Sequence, residues 1–593
     1  GSKLVKVGSS RLILANYNGG SPNSLETLDI AQGTVETRVN DLSWGQPGTL
    51  ASGIPSSTEV LLRGGQWSIR AVGDSTGNSE RIVVGNNIVH QGGDSYIDVN
   101  RPEGSGSSKL LTFGTLSLDV QRFGVTGGNT YIPRFDGLTT LTNHARIQTD
   151  VQLVLAGGIT DNGKGYTLNK IGGSDMTISG DNSATWSGGL VVANGQLLFG
   201  TRGSDDIRYP GVTFVPSSTA NAGSGDIVLT QGFTVNGGTS AIRLNAPTNI
   251  VAGQEVQIFG SERNFTSRVD IGTDAPLSAY SLRSTTNGAL ALGMGDSGFY
   301  SQPLDQARMG SGKWGMSAYA NTFYMAPTLG AGVDNVYRFL GTNGATLSIV
   351  NNNVLTGSAS LEIGRSPIDF GSGTPAATVA IVRAYGNQDY AGNTTIYRGA
   401  DFGSIGNYLE VTNSIASPQI EVYGRLNLRG AGRATDDSGA QVNDVILRPG
   451  GVLRLDYSLD VNDQIVVSRL NNSNLGISNK WGDTTPLILD GAGINLVAAS
   501  QHYTEEVVGQ ITVAGGAGIY LERNSTNGGI SLITNLPLLR SGQATLAIRE
   551  NADEFGLNQF QSQHVYVNDP AWVSANVTNG VLPAWMINAT RLT

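Results

Sequence analysis

Short alternating runs of apolar and polar residues, broken by Gly, Asn and Asp, fill this chain from one end to the other. Between Tyr166 and Gly200 the text reads YTLNKIGGSDMTISGDNSATWSGGLVVANGQLLFG. Leu168 and Lys170 form a strand that Gly172 turns, and Met176 and Ile178 restart the alternation. Gly188-Gly189 and Asn194-Gly195 then bracket a further strand at Leu190–Val192. Period-two runs separated by turn residues predict strands joined by tight turns. The N-terminus carries the same order: Leu4, Lys6, Gly8, Leu12, Leu14, Gly19-Gly20, the run Leu25/Leu28/Ile30, and Gly33. Repetition of strand-turn text is the mark of a solenoid, in which a coil buries its apolar face only by stacking on its neighbours. Alternation sends Leu168 inward, and Lys170 is expected at a corner. Asn side chains at repeated turns are expected to satisfy backbone groups of adjacent coils. Further strands are expected over 60–62, 81–84, 109–118, 227–229 and 251–259, with no amphipathic helical period of a dozen residues.

Composition agrees with many turns. The 593 residues include 82 Gly, which accepts left-handed backbone, but only 37 basic and 47 acidic residues. An apolar fraction of 39 % is enough to build a core. The net charge of −10 argues against a nucleic-acid partner. With no cysteine there are no disulfides, thiolate metal sites or cysteine nucleophiles, which suits an exported protein. No apolar run reaches the ~20 residues of a membrane-crossing helix. No signal peptide is legible, and the first residues already sit at the edge of a strand pattern. A processed piece of a longer precursor is expected.

The texture changes between Gly293 and Phe339, where aromatic residues and four of the six methionines gather. This stretch is expected to be an irregular insertion. Trp314, Tyr319, Phe323 and Tyr324 are candidates for a sugar- or partner-binding face. The reading favoured for the window as a whole is a wider core section filled by large, adaptable side chains.

From Val336 to Gly364 the chain reads VYRFLGTNGATLSIVNNNVLTGSASLEIG. Tyr397-Arg398-Gly399, the run from Val422 to Leu426, PGGVLRL from Pro449, and Asn479-Lys480-Trp481-Gly482-Asp483 follow in order. The chain ends near Gly580-Val581-Leu582-Pro583-Ala584-Trp585. This succession resembles the text of bacterial autotransporter-associated β-strand repeat proteins, and the two L-x-K-x-G copies resemble that family's commonest repeat. The resemblance lies mainly in 1–35, 166–200 and 336–593. It implies a right-handed parallel β-helix at the bacterial cell surface and no catalytic residues. The chain departs from the pattern at Phe339, and no transporter barrel is expected within residues 1–593. Blocks at 1–160, 161–335 and 336–593 are expected to run on as one body.

Chemistry-bearing motifs are weak by comparison. Gly-Asp-Ser occurs at Gly73, Gly93 and Gly295, but none of His90, His144, His502 and His564 stands in the context of a serine-hydrolase base. Asp205, Asp206, Asp460 and Asp463 could offer oxygens to calcium, yet no loop supplies the six or more that calcium wants. Solvated turn carboxylates are the simpler reading. Arg425–Asp437 is the best place for an acidic glycan-cleaving groove, and an ordinary exposed turn is favoured over it. The expectation is therefore a non-enzymatic, extracellular structural and adhesive solenoid that stacks head to tail into a filament, with surface glycans or other cells as partners. The alternatives are a polysaccharide lyase or glycosidase, and a glycan-binding adhesin without turnover.

Overall fold

The computed structural model describes residues 2–15, 25–39, 54–71, 80–101, 107–202, 214–230, 240–259, 268–272, 274, 289–292, 298–310, 312–318, 320–341, 345–364, 379–399, 406–430, 432, 444–458, 486–499, 503–523, 529–550, 563–579 and 581–588. The chain is almost wholly β, and its strands pair in parallel with strands of the neighbouring coil, apart from the antiparallel pairing of Phe214–Pro216 with the end of Gly195–Arg202. It divides into two compact units: Gly1–Gly288 with Met309–Ser311, and Ala289–Arg308 with Gly312–Thr593.

In the N-terminal unit the chain visits three ladders in rotation. Leu116–Leu118 adds to the first, Arg122–Gly127 to the second and Ile132–Phe135 to the third; Thr139–Leu141 then returns to the first. Parallel partners cannot be joined by a hairpin, so each return is a crossover around the core. The alternation fixes the register, because a slip of one residue would turn the whole apolar set outward. Val60, Ile88 and Leu116 stack inward on the first ladder, and Trp67, Ile97 and Val125 on the second. On the third, Phe113 and Phe135 are register partners with rings 5.2 Å apart, and Trp67 meets Phe113 edge-on at 5.9 Å. All eight of these side chains are buried. The second and third ladders pass residue 160 unbroken, with Ala145 paired to Leu168 and Leu153 to Met176, while the first ends at Ile159–Thr160.

Corners are held by buried side chains. Asn182 donates from Nδ2 to the Asn221 carbonyl (2.7 Å), and its Oδ1 accepts from the Ile159 amide (2.6 Å); Asn221 Oδ1 accepts in turn from the Asn182 amide (3.0 Å). The expected cross-coil amide stacking is therefore present. Asp161 gathers the amides of Gly163, Tyr166, Ser187 and Gly188 together with the Ser187 hydroxyl. Burial alone would raise this carboxyl, but those donors hold it below the usual range.

The C-terminal unit carries two long ladders. One runs through Val336–Phe339, Ser360–Ile363, Thr394–Ile396, Gln419–Val422, Asp444–Leu447 and Leu487–Asp490. The other runs through Thr322–Tyr324, Thr346–Ile349, Ile381–Ala384, Tyr408–Val411, Arg425–Arg429, Val452–Asp456 and Gly493–Val497. Both meet the twelve-residue strand Ile511–Glu522. The stretch expected to be an insertion instead contributes regular coils: Phe299–Tyr300, Thr322–Tyr324 and Val336–Phe339 all lie in these ladders. Among the described residues of this stretch the departures are a 3-10 turn at Gln306–Arg308 and the short pair Leu304–Asp305 with Leu329–Gly330. Among the described residues one α-helix occurs, Pro570–Asn576, with Pro at its first turn and Asp569 accepting from the Trp572 amide (2.7 Å).

Candidate functional site

The second ladder of the C-terminal unit places an unbroken column of side chains on its outer face. Phe299 pairs with Phe323, then Ser348, Arg383, Glu410, Asn427, Arg454, Asn495, Tyr520 and Arg549, one residue per coil. Neighbours one position along each strand point inward, as Tyr324, Ile349, Val411 and Leu428 do. The period of two thus makes a core on one side and a chemical strip on the other.

The start of the strip is aromatic and open. Phe299 is 42 % exposed, Phe323 45 %, Met325 46 % and Tyr385 37 %. The Phe323 and Tyr385 rings lie 6.5 Å apart across the small Ser348. Further along, polar groups are tied together. Arg383 forms an ion pair with Glu410 and stacks over Tyr385 at 5.6 Å. Glu410 also accepts from the Tyr408 hydroxyl (2.7 Å) and from Asn427 Nδ2 (3.0 Å). Burial and the adjacent carboxylate push the Tyr408 phenol up, so it remains a donor at any ordinary pH. Arg454 reaches Asp456 (3.3 Å) and Glu522 (3.6 Å).

The other long ladder shows the same habit. Arg338 binds Asp334 (2.6 Å) and Glu362 (3.2 Å), Arg448 binds Glu421 (2.9 Å), and the Tyr397 and Tyr423 rings stack 6.4 Å apart. Burial raises the Glu362 carboxyl, with Arg338 opposing. In the N-terminal unit Asp29 joins Lys3 (2.9 Å) and Arg63 (2.6 Å), and Glu36 joins Arg11 (3.1 Å) and Arg38 (2.8 Å).

The residues singled out in the sequence separate. Asp205, Asp206, Asp460, Asp463 and Tyr319 lie outside the described residues, as do the Gly-Asp-Ser triplets at 73 and 295 and the pair Asp436-Asp437. Trp314 is fully buried; Tyr324 is 1 % exposed, its hydroxyl donating to the Thr328 carbonyl (2.7 Å) and accepting from the Leu304 amide (3.0 Å). These two are core, and Phe323 alone of the described trio faces outward. At the remaining Gly-Asp-Ser triplet, Asp94 pairs with Arg122 (2.9 Å), and the Ser95 hydroxyl donates to the Gly93 carbonyl (3.0 Å). His90 Nε2 lies 3.1 Å from that same carbonyl, so both side chains are spent on the turn. Sequence reasoning missed Phe299, Tyr385, Arg383 and Glu410. Their common signal was the outward parity of successive strands, which becomes readable only once the register is fixed.

Among the described residues no group of three or more His, Cys, Asp or Glu is placed to hold a metal ion, and no helix is long and apolar enough to cross a membrane. No family model, curated protein or solved structure matches this chain.

Proposed function

We propose that this chain is a right-handed parallel β-helix of the autotransporter-associated repeat kind, serving as a structural and adhesive element at the bacterial cell surface. The carrying observation is where the outward acids go. Lys3–Asp29–Arg63, Arg11–Glu36, Arg383–Glu410 and Arg448–Glu421 each bind one coil to another instead of converging on a substrate-sized site. The acid ends at Asp29, Glu36 and Glu410 are covered while their cationic partners reach solvent, so these carboxylates are engaged in fixing coil register along the ladders. Crossovers between parallel strands of one sheet are right-handed in nearly all known cases, which supports that hand. Further coils, of this chain or of another copy, can add by the pairing that already joins each coil to the next. That supports end-to-end association into a filament.

Electron microscopy of the purified chain across a concentration series, with and without chelator, tests this reading. Filaments that lengthen with concentration are expected, and their loss on chelation would place calcium at the joints. Particles that never associate at any concentration would defeat the self-assembling filament.

A further inference from the structure

We infer that the outer strip beginning at Phe299 and Phe323 binds an extended, uncharged β-1,4-linked polysaccharide lying along the stack of coils. This deepens the adhesive half of the proposed function and rests on it.

Three observations carry the inference. First, the strip repeats at the spacing of parallel strands, about 4.8 Å per coil, close to the rise per sugar of an extended β-1,4-linked hexopyranose chain. A glycan laid along the column therefore advances in step with the coils, meeting Phe299, Phe323, Tyr385 and Arg383, while Ser348, Glu410 and Asn427 lie covered beneath them. Second, the side chains suit sugar faces and edges in turn. Phe323 and Tyr385 are open rings 6.5 Å apart. A pyranose has one apolar face of C–H groups that packs on such rings, as apolar groups pack on aromatics generally. Beyond them Arg383 offers N–H groups to ring hydroxyls, and the Tyr408 oxygen, whose proton goes to Glu410, is left as an acceptor. They are held in place by Glu410 and Asn427, which are 3 % and 2 % exposed. Ligand-binding side chains locked from behind in this way lose little entropy when a ligand arrives.

Third, charge selects the ligand class. Arg383 is neutralised by Glu410, and Arg454 by Asp456 and Glu522. Of the other arginines along it, Arg425 lies over the Tyr408 ring at 6.0 Å and Arg549 over the Tyr520 ring at 5.6 Å. Among the described residues the cations are thus split between acids and rings and do not form the continuous row that would hold a polyuronate or a sulfated glycan. A protein partner would also want an apolar face, but the strip narrows to one residue per coil and turns polar after Tyr385. A linear polymer matches that shape.

The test is titration calorimetry of the full chain with cellohexaose and chitohexaose, beside cellobiose and polygalacturonate. The expected result is binding of a neutral hexaose, weaker binding of the disaccharide, and no preference for polygalacturonate. Phe323→Ala and Tyr385→Ala should each weaken the hexaose at least fivefold. Val333→Ala, at an exposed position off the strip, should leave it unchanged. Absence of hexaose binding, equal binding by Phe323→Ala, or selective binding of polygalacturonate would each overturn the inference. Filament formation is scored on the same samples. Filaments without glycan binding would remove this inference alone, and glycan binding without filaments would remove only the self-assembly reading.

Discussion

The Lys170 ammonium donates to the Asn194 carbonyl one coil above it, at 2.7 Å, and the next residue, Gly195, is held at φ +71° directly over the same nitrogen. Lys170 Nζ also reaches Thr149 Oγ1 (2.9 Å) and the Gly172 carbonyl (3.0 Å). The N-terminal copy repeats the arrangement: Lys6 Nζ donates to the carbonyls of Gly8 (2.5 Å) and Gln32 (3.2 Å), and Gly33 sits above it at φ +74°. Turn carbonyls are thereby bound by a lysine side-chain nitrogen, and a glycine at this position leaves it room.

Substituting that glycine should therefore cost more than backbone strain alone. A Cβ at Gly195 would stand 2.6 Å from Lys170 Nζ and 2.6 Å from the Ser174 carbonyl. Gly163, at φ +70°, has nothing within 4 Å and serves as the control. Gly163→Ala is expected to lose about 1–2 kcal/mol, the cost of left-handed backbone for a residue with a Cβ. Gly195→Ala should lose clearly more, read as the shift in urea midpoint. Equal losses at the two sites would show that the lysine cradle is not tightly packed.

The same lysine makes stability depend on pH. Burial pulls its amine from 10.5 down to about 7, with Asp175 and Asp150 opposing. Three oxygen acceptors suit the charged form, but not enough to offset desolvation. Between about pH 7 and 10.5 the unfolded chain then holds a proton that the folded chain has released, so stability rises with pH through that window. Lys170→Met should flatten the rise in a series of urea melts. A parent protein whose midpoint stays level or falls from pH 7 to 10 would contradict the argument.

His90 acts in a separate, more acid window. It is fully buried on the inner face of the first ladder beside Phe123, Nε2 lies within hydrogen-bond reach of the Gly93 carbonyl, and Nδ1 has no partner. Burial lowers its pKa from 6.5, against the Gly93 carbonyl, Asp119 and Asp94. The unfolded chain takes up the proton first as pH falls below 6.5, so stability is whole above that value and declines beneath it. Melts of the parent and His90→Leu from pH 7.5 to 5 should show the parent losing stability faster. Parallel curves would assign the acid sensitivity elsewhere.

Much of this architecture was legible in the sequence, for a physical reason. Period-two alternation with Gly and Asn turns leaves few folds other than stacked parallel coils; the repeated order of Lys and Gly was visible as text, but Lys170, expected at a corner, lies buried within the strand Leu168–Ile171, and its contact with Gly195 was not legible. What the text hides is which strands stack. Ser348 lies between Phe323 and Arg383 only because intervening turns of different length bring them into register. The helix at Pro570 was overlooked although Asp569-Pro570 is a good start signal, because seven residues are too few to show a period. The aromatic window was read as a single feature, whereas neighbouring residues in one strand face opposite ways.

That opposition gives the sharpest mutational contrast. Trp314 and Tyr324 are buried in the core of the C-terminal unit, and Phe323, adjacent to Tyr324, is nearly half exposed. Trp314→Ala empties a large buried volume and should cost about 3–5 kcal/mol. Phe323→Ala removes a ring that already faces water and should change stability by no more than about 0.5 kcal/mol. The register requires both outcomes together, because a slip of one residue in Thr322–Tyr324 would exchange Phe323 with its inward neighbours. Urea melts of the two variants beside the parent decide it. A large loss at Phe323 with little change at Trp314 would invert the faces of the ladder, removing both the core described for this unit and the exposed ring on which glycan binding depends.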